Sequence, residues 1–244
     1  MFAYNENTIS DQIHTKWAGK TVHFAKETDS TNLWIKRLAK EGAPQGTLAL
    51  AEFQSAGRGR LGRSWEVPEG TSVMMSILLR PEFEPQYAPM LTLVMGMAVA
   101  KAVKLLGFEV SIKWPNDVVV SHKKICGILT EMGVRDGKID KATSLYLESG
   151  REFDRSQIPG LVMEAFENYY EKFAATCNLS GLKAEYESIL ANYNQPVRVL
   201  AKEPYEGIAR GITDSGELLV EKTDGTVVEV SAGEVSVRGL YSYV

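Results

Sequence analysis

The feature that most constrains the fold of this chain is a change of residue pattern near residue 194. Before it, amphipathic segments predict helices, the last of them at residues 156–176 and 182–193. After it, short apolar runs separated by the turn sequences DSG and TDG predict strands at residues 196–200, 207–212, 218–221 and 227–230. Their spacing, about ten residues, is typical of a small all-β barrel or sandwich. We therefore predict two domains, at residues 1–194 and 195–244.

The first domain is predicted to mix helices with short strands. The helices are predicted at residues 8–17, 31–41, 87–106, 156–176 and 182–193. The strands are predicted at residues 21–25, 47–54, 71–79, 110–113, 118–120 and 125–132.

The composition is that of a globular protein and excludes several other classes. The chain has 244 residues, 44% of them hydrophobic and 24% charged, and a net charge of −4 that argues against a surface built for duplex DNA. Two cysteines, Cys126 and Cys177, supply neither a disulfide framework nor a zinc quartet, and they indicate a reducing compartment. Residues 90–106 are apolar but interrupted by Lys101 and Lys104, so we predict no membrane span. The polar start of the chain is no signal peptide, and we expect a cytoplasmic location.

A run of glycines and arginines follows the strand predicted at residues 47–54. Residues 57–65 read GRGRLGRSW. Glycine lets the backbone approach a ligand closely, and arginine offers a planar fork of donors that suits carboxylate and phosphate. The run therefore predicts an anion-binding loop. Such runs also occur in disordered loops and in contacts with single-stranded nucleic acid, and this segment alone leaves those alternatives open.

A second polar run precedes the helix predicted at residues 31–41. Residues 28–32 read TDSTN, and Asp29 or Ser30 is the expected N-cap. Five hydrogen-bonding residues are more than capping needs. Hydroxyl and amide groups at a helix start also suit the head of a polar, uncharged ligand.

Two lysines stand beside turns later in the chain. Residues 113–117, with the sequence KWPND, connect two predicted strands, and Pro-Asn-Asp is good turn chemistry. A turn does not explain Lys113 at a strand end, four residues before the carboxylate of Asp117. Lys124 begins the next predicted strand and either protects a sheet edge or faces a ligand. These cations and the arginines of residues 57–65 suit phosphoryl or adenylyl transfer, which depends on positioning and charge neutralisation.

Taken in order, four segments resemble the signatures of bacterial biotin protein ligases. They are TDSTN at residues 28–32, GRGRLGRSW at 57–65, KWPND at 113–117 and KICGILTE at 124–131. The resemblance covers nearly the whole chain and is to the form without an N-terminal DNA-binding domain. It implies an α+β fold: a mixed sheet with flanking helices, like that of class II aminoacyl-tRNA synthetases, and a small C-terminal SH3-like β-barrel.

The resemblance implies a two-step reaction. Biotin and MgATP would give biotinoyl-5′-adenylate and pyrophosphate, and the adenylate would pass biotin to one lysine of a biotin carboxyl carrier protein. ATP, Mg²⁺ and biotin are the implied cofactors and substrate, no protein metal ligands are assigned, and no DNA or membrane partner is expected. A homodimer is compatible with the resemblance, since family members pair sheets edge to edge. The rival functions are a lipoate–protein ligase, which should have a linear apolar slot, and a nucleic-acid-binding protein.

The resemblance also assigns roles to individual residues. The catalytic residues would be Arg60, Lys113, Asp117 and Lys124. The biotin-binding residues would be Ser30, Thr31, Asn32, Gln54, Arg58, Gly59, Arg60, Lys124 and Gly127. Contacts with ATP or the adenylate would come from Arg58, Arg60, Arg63, Trp65, Lys113, Asn116 and Lys124.

One departure from the family pattern lies after Glu131. The family has a glycine-rich strand ending in asparagine there, and residues 133–145 contain no match to it. The turn sequence RDGK at residues 135–138 also lacks a return strand. Either the strand is deleted, or residues 140 and 141 are not neighbours in the natural chain and should lie far apart.

Overall fold

A computed structural model of the chain describes residues 3–59, 64–131, 153–231 and 236–239, the last four by their backbone alone. The chain divides into two compact units. Unit 1 comprises Met1–Glu82 and Leu129–Asn168, and unit 2 comprises Phe83–Ile128 and Tyr169–Val244. The departure predicted at residues 133–145 lies outside the described residues. Unit 2 contains strands from both sides of residue 194. This division into units therefore does not test the domain boundary predicted there, which stays a prediction.

Unit 1 is built on a mixed three-stranded sheet. Its strands are β1 (Val22–Thr28), β2 (Leu48–Gln54) and β3 (Met74–Ile77), in the order β1-β2-β3. β1 is parallel to β2, and β2 is antiparallel to β3. Two parallel neighbours need a crossover, which helix α2 (Thr31–Lys40) provides while packing against β2 and β3. The predicted strands and this helix are thereby confirmed, with shifted ends.

The first helix differs from its predicted bounds. Helix α1 spans Glu6–Ser10 rather than residues 8–17, because a capping box between Asn5 and Thr8 starts it earlier. After Ser10 the N–H groups of residues 12 and 13 donate three residues back, to residues 9 and 10. The N–H groups of residues 16–18 donate to the carboxylate of Glu167, so the end of the predicted helix is not helical.

Unit 2 contains an antiparallel sheet beside an apolar helix. A 3-10 turn (Pro85–Met90) leads into α3 (Leu91–Leu105), which packs against β4 (Ser111–Lys113) and β5 (Asp117–Val120). Strand β6 (Lys123–Gly127) completes the order β4-β5-β6. β6 begins two residues before the strand predicted at residues 125–132 and ends at Gly127. Beyond it Ile128 N–H donates to the Asn116 carbonyl oxygen, while Ile128 O accepts from the Asn116 side chain.

The apolar segment around α3 is longer than the sequence suggested. Pro85–Leu105 covers 21 residues, and by length and composition alone it is long and apolar enough to match a membrane span. Of an 18-residue part of this stretch, 61% is buried within the protein, as expected for a core helix.

Two further helices lead to the last strands. Helix α4 (Gln157–Thr176) is confirmed and contributes residues to both units. Helix α5 (Lys183–Ser188) is shorter than the helix predicted at residues 182–193. It ends because residues 189–191 pair with Ile112 of β4: Ile112 N–H donates to Ile189 O at 2.7 Å, and Ala191 N–H donates to Ile112 O at 2.9 Å.

The last part of the chain forms an antiparallel sheet. Its strands are β7 (Pro196–Leu200), β8 (Tyr205–Ile212), β9 (Leu218–Glu221), β10 (Val227–Val230) and β11 (Ser236–Gly239). They follow the order β10-β9-β8-β7-β11, so the four predicted strands are confirmed and β11 adds a fifth. Among the described pairings β10 and β11 stand at opposite ends of the order, and none of those pairings closes the barrel that the resemblance implies.

Candidate active site

A set of polar side chains at the start of α2 forms what we call the head cluster: Thr31, Asn32, Gln54 and Ser76. Gln54 Oε1 accepts from Thr31 N–H at 2.7 Å and lies 3.0 Å from Thr31 Oγ1. Ser76 Oγ, on β3, lies 2.9 Å from Thr31 Oγ1 and is also hydrogen-bonded to Asn32 Oδ1. The last residue of β2, the middle of β3 and the first turn of α2 therefore bring their polar groups to one place.

The predicted N-cap of α2 is confirmed by position at Ser30, but without a side-chain capping bond. Ser30 is the N-cap by position, and its side chain is buried, but its hydroxyl makes no capping bond. Asp29 accepts from Ser30 N–H at 2.7 Å and forms a two-pronged pair with Arg37, each contact 2.8 Å long. The hydrogen bonds from Arg37 hold the pKa of the Asp29 carboxyl well below its usual range. Because the Ser30 hydroxyl makes no capping bond, it can form a hydrogen bond with a ligand instead.

Glu131 is hydrogen-bonded to Asn32 of the head cluster. Asn32 Nδ2 donates to Glu131 Oε2 at 3.2 Å and to the Leu129 carbonyl oxygen at 3.4 Å. Lys36 Nζ pairs with the same Glu131 oxygen at 3.0 Å, and only 6% of the Glu131 side chain is exposed. The carboxylate is thus charge-paired while it holds the Asn32 amide.

The Gly-Arg loop is pinned at its base. Trp65 N–H donates to Gly57 O at 2.9 Å, and Arg58 forms an antiparallel bridge with Ser64. A Cβ on Gly57 would lie 2.3 Å from the Trp65 carbonyl oxygen, so the close approach requires glycine here. Gly59 follows the bridge, while Arg60 and Arg63 lie outside the described residues.

A second cluster, which we call the lysine cluster, lies in unit 2 on the β4-β5-β6 sheet: Lys113, Asp117, Lys124 and Gly127. Lys113 and Asp117 are partners in the β4–β5 ladder, and Asp117 pairs with Gly127 across β5 and β6. Lys124 Nζ donates to Asp117 Oδ1 at 2.5 Å. A Cβ on Gly127 would lie 2.8 Å from Lys124 Nζ, so the missing side chain leaves room for the ammonium group.

Both lysines are buried, and Lys124 is 1% exposed. A buried charge is costly unless it is paired and hydrogen-bonded, so the structure answers the question that the sequence left open. Lys124 is not a solvent-exposed edge lysine. Nearby, burial raises the pKa of the Cys126 thiol to about 11, which makes this thiol an inert packing group at neutral pH.

The connection between β4 and β5 is anchored from both sides. Trp114 N–H donates to Asn192 Oδ1 and Trp114 Nε1–H donates to Gly216 O, each at 3.0 Å. Asn116 receives Ile128 N–H at its carbonyl oxygen and donates from Nδ2 to Ile128 O at 3.3 Å. Lys113 and Asp117 are therefore joined by a connection that is held at Trp114 and at Asn116.

The sequence analysis identified most of these residues and missed two. Ser76 and Glu131 were not assigned to a site, although each contacts Asn32. Ser76 is a buried serine in the sequence MMSI and faces the same way as Met74, which is the one signal that could have drawn attention to it. Within the described part of the chain, no group of three or more His, Cys, Asp or Glu side chains forms a metal site.

Comparison with known proteins places this chemistry in a family. A profile of the biotin/lipoate A/B protein ligase family matches residues 24–147, and one for the biotin protein ligase C-terminal domain matches residues 193–238. The chain belongs to the biotin/lipoate A/B protein ligase family. The four segments that carried the resemblance all lie within the first matched range.

Several members of this ligase family are similar over most of the chain. The bifunctional ligase/repressor BirA of Bacillus subtilis is 32% identical over 246 residues, which cover 91% of this chain and 75% of that protein. The biotin–[acetyl-CoA-carboxylase] ligase of Mycobacterium tuberculosis is 31% identical over 254 residues, covering 95% and 94% of the two chains.

The fold agrees with that of a solved member of the ligase family. A biotin protein ligase from Aquifex aeolicus, in complex with biotin and ATP, matches with a TM-score of 0.78 and 32% identity. The match covers 90% of this chain and 99% of that one. The predicted α+β ligase fold is confirmed.

Proposed function

We propose that this chain activates biotin with ATP and transfers it to a lysine of a biotin carboxyl carrier protein. The observation that carries the proposal is the match, over nearly their whole lengths, with an Aquifex aeolicus ligase bound to biotin and ATP. The relatives named biotin–[acetyl-CoA-carboxylase] ligase support the same reaction. The chain is a biotin protein ligase, and its substrates are biotin and ATP.

The head cluster suits the neutral ureido ring of biotin. A ureido group has two N–H donors and one carbonyl acceptor, and it carries no charge to neutralise. We assign Ser30, Thr31, Asn32 and Gln54 to this ring, since they present hydroxyl and amide groups at the start of α2. The buried Ser30 side chain, which does not cap the helix, is a suitable partner for the carbonyl oxygen.

The lysine cluster suits the reacting anions. In the first step a biotin carboxylate oxygen attacks the α-phosphorus of ATP, a new P–O bond forms, and pyrophosphate leaves. Two unit negative charges 4 Å apart repel by about 4 kcal/mol at an effective dielectric constant of about 20. We assign Lys113 and Lys124 to offset this repulsion, with Lys124 at the carboxylate and the phosphate. Asp117 and the bare Gly127 hold the Lys124 ammonium in place before the substrates arrive.

The Gly-Arg loop is the proposed lid over the adenylate. A mixed anhydride hydrolyses when water reaches it, so a closing loop protects it. We assign Arg58, Gly59, Arg60, Arg63 and Trp65 to this lid, and its pinned base supports the assignment. In the second step the carrier lysine amine attacks the acyl carbon and AMP leaves. Asn116, held to Ile128, is the remaining assigned contact with the nucleotide.

Mg²⁺ is expected to enter with the nucleotide. It commonly keeps several waters and binds through substrate phosphates with one or two carboxylates, and it would neutralise charge on the leaving pyrophosphate. Among the described residues, Asp117 offers one carboxylate beside Lys124 for such a role.

Partner, compartment and domain division are part of the same proposal. The carrier protein of acetyl-CoA carboxylase or a related enzyme is the proposed acceptor. We propose a cytoplasmic location, which the free thiols of Cys126 and Cys177 support. The division at residue 194 is supported by the C-terminal profile, which begins at residue 193. A homodimer is proposed through sheet edges.

Pyrophosphate exchange into ATP tests the first step. We expect exchange that depends on biotin and is not supported by lipoate. Exchange with lipoate alone would favour the lipoate–protein ligase alternative. Salt-sensitive binding of nucleic acid without any response to biotin would favour the nucleic-acid alternative.

A further inference from the structure

Ser76 and Glu131, which lie outside the assigned site, hold the head cluster in one arrangement of hydrogen bonds. Glu131 Oε2 and the Leu129 carbonyl oxygen both face Asn32 Nδ2, and both can only accept. The Asn32 amide must therefore point its nitrogen at them and its oxygen at Ser76. Lys36 Nζ lies 3.0 Å from the same Glu131 oxygen, so this oxygen has an N–H donor on each side.

The orientation of Asn32 determines what Ser76 does. Asn32 Oδ1 needs a donor, and Ser76 Oγ is hydrogen-bonded to it. The single hydroxyl hydrogen of Ser76 is thus used on Asn32, and its 2.9 Å contact with Thr31 Oγ1 needs a hydrogen from Thr31. Ser76 is 8% exposed, so its contacts within the cluster count more than contacts with water.

The head cluster contains fewer hydroxyl hydrogens than close contacts between oxygen atoms. Thr31 Oγ1 lies 3.0 Å from Gln54 Oε1, which already accepts from Thr31 N–H. Three oxygen-to-oxygen contacts link Gln54, Thr31, Ser76 and Asn32, and the two hydroxyl groups supply two hydrogens. One of the three contacts therefore has no hydrogen atom between its two oxygens. The arrangement is rich in acceptor lone pairs and complements a ligand that brings N–H groups.

We infer that Ser76 and Glu131 are positioning residues that hold the head cluster as an acceptor-rich site for the ureido N–H groups of biotin. The inference rests on the proposed function. Neither residue needs to touch biotin: Glu131 orients Asn32, Asn32 directs the Ser76 hydrogen, and Ser76 directs the Thr31 hydroxyl.

Steady-state pyrophosphate exchange with Ser76→Ala tests the inference. We expect the KM for biotin to rise about tenfold, because a buried acceptor loses its donor, while the KM for ATP and the rate at saturating biotin stay within about twofold. Ser76→Thr keeps a hydroxyl and should restore the KM for biotin to within about threefold of the wild type. The same rise is expected with desthiobiotin, which retains the ureido ring. A rise with biotin but not with desthiobiotin would overturn the assignment to the ureido group.

Thr47→Val is the matched control. Thr47 is fully buried in the same unit, and its hydroxyl donates to Pro44 O at 2.7 Å, away from the head cluster. The substitution should lower the thermal unfolding temperature without changing the KM for biotin. If Ser76→Ala changes stability and leaves the KM for biotin like that of Thr47→Val, Ser76 has only a structural role.

Two further variants test the same arrangement from its other end. Glu131→Ala should raise the KM for biotin as Ser76→Ala does, and Glu131→Gln, which keeps an acceptor, should raise it less. In a double-mutant cycle, Ser76→Ala on an Asn32→Ala background should add almost nothing, since both act through one amide. Fully additive effects would overturn the inference. A wild-type protein that shows no biotin-dependent exchange would instead overturn the proposed function.

Discussion

Lys124 Nζ lies 2.5 Å from Asp117 Oδ1, and only 2% of the Lys124 side chain is exposed to solvent. Bringing a lysine out of water costs free energy that the attraction of a partner offsets only when the geometry is good. Replacing such a pair by apolar residues is often neutral or stabilising, so stability alone does not explain why the pair is here. The role proposed for Lys124, at the biotin carboxylate and the α-phosphate, would explain it, because both groups require a fixed positive charge.

Variants of the Lys124–Asp117 ion pair allow its contribution to stability to be measured separately from its contribution to catalysis. Lys124→Met or Asp117→Leu alone leaves a charge without this partner and should lower the free energy of unfolding by about 3 kcal/mol. The double variant should recover most of that loss and still form no biotinoyl-adenylate. Chemical denaturation and single-turnover adenylation measure the two properties. Adenylation by the double variant at the wild-type rate would show that Lys124 has no catalytic role.

Gly57 is predicted to control how well the lid retains the adenylate. Gly57→Ala places a Cβ where the Trp65 carbonyl oxygen would be 2.3 Å away, so the base of the loop must open. Release of biotinoyl-adenylate should become at least several times faster, while its formation changes less. Gly181→Ala is the control, because an added Cβ there meets nothing within 4 Å. Equal release rates in the two variants would mean that the base does not hold the lid.

The carboxylate of Glu167 is predicted to make stability depend on pH. Burial would raise its pKa, but hydrogen bonds from the N–H groups of Lys16, Trp17 and Ala18 outweigh burial and lower the pKa below its ordinary value. A lowered pKa in the folded state means that the stabilisation is fully present above the ordinary glutamate pKa of about 4.3. It is lost as the pH falls through the folded-state pKa.

Glu167→Gln should therefore cost about 2 kcal/mol of unfolding free energy at pH 7 and progressively less at acid pH. Denaturation series between pH 3 and about pH 7 measure the effect. Glu164→Gln, an exposed change on the same helix, is the control and should follow the wild type. A cost for Glu167→Gln that does not change with pH would contradict the role of the charge.

The sequence predicted elements well where local pattern decides them. The apolar run predicted β2, and the amphipathic stripe predicted α4, without information from the rest of the chain. The ends of α1 and α5 could not be predicted, because distant residues compete for their backbone groups. Glu167 accepts from N–H groups at the end of the helix predicted at residues 8–17, and Ile112 pairs with the residues that would have extended α5.

The same distinction holds for the candidate site. Thr31, Gln54 and Lys124 were assigned to the site because the chain resembles a known family, and that assignment stays a prediction. Ser76 and Glu131 were missed because their contacts with the head cluster are distant in sequence: Asn32 is 44 residues from Ser76 and 99 from Glu131. Long-range hydrogen bonds of this kind leave no local pattern. The burial of Lys124, too, was decided by the packing around it.

Biotin transfer to a carrier domain tests the central claim most directly. The wild-type protein, given biotin, MgATP and a biotin carboxyl carrier domain, should add one biotin to one lysine of the carrier, as measured by intact mass. Omission of ATP, or replacement of the acceptor lysine by arginine, should abolish the addition. An unmodified carrier after formation of biotinoyl-adenylate would contradict the second step, and failure to form the adenylate at all would contradict the account as a whole.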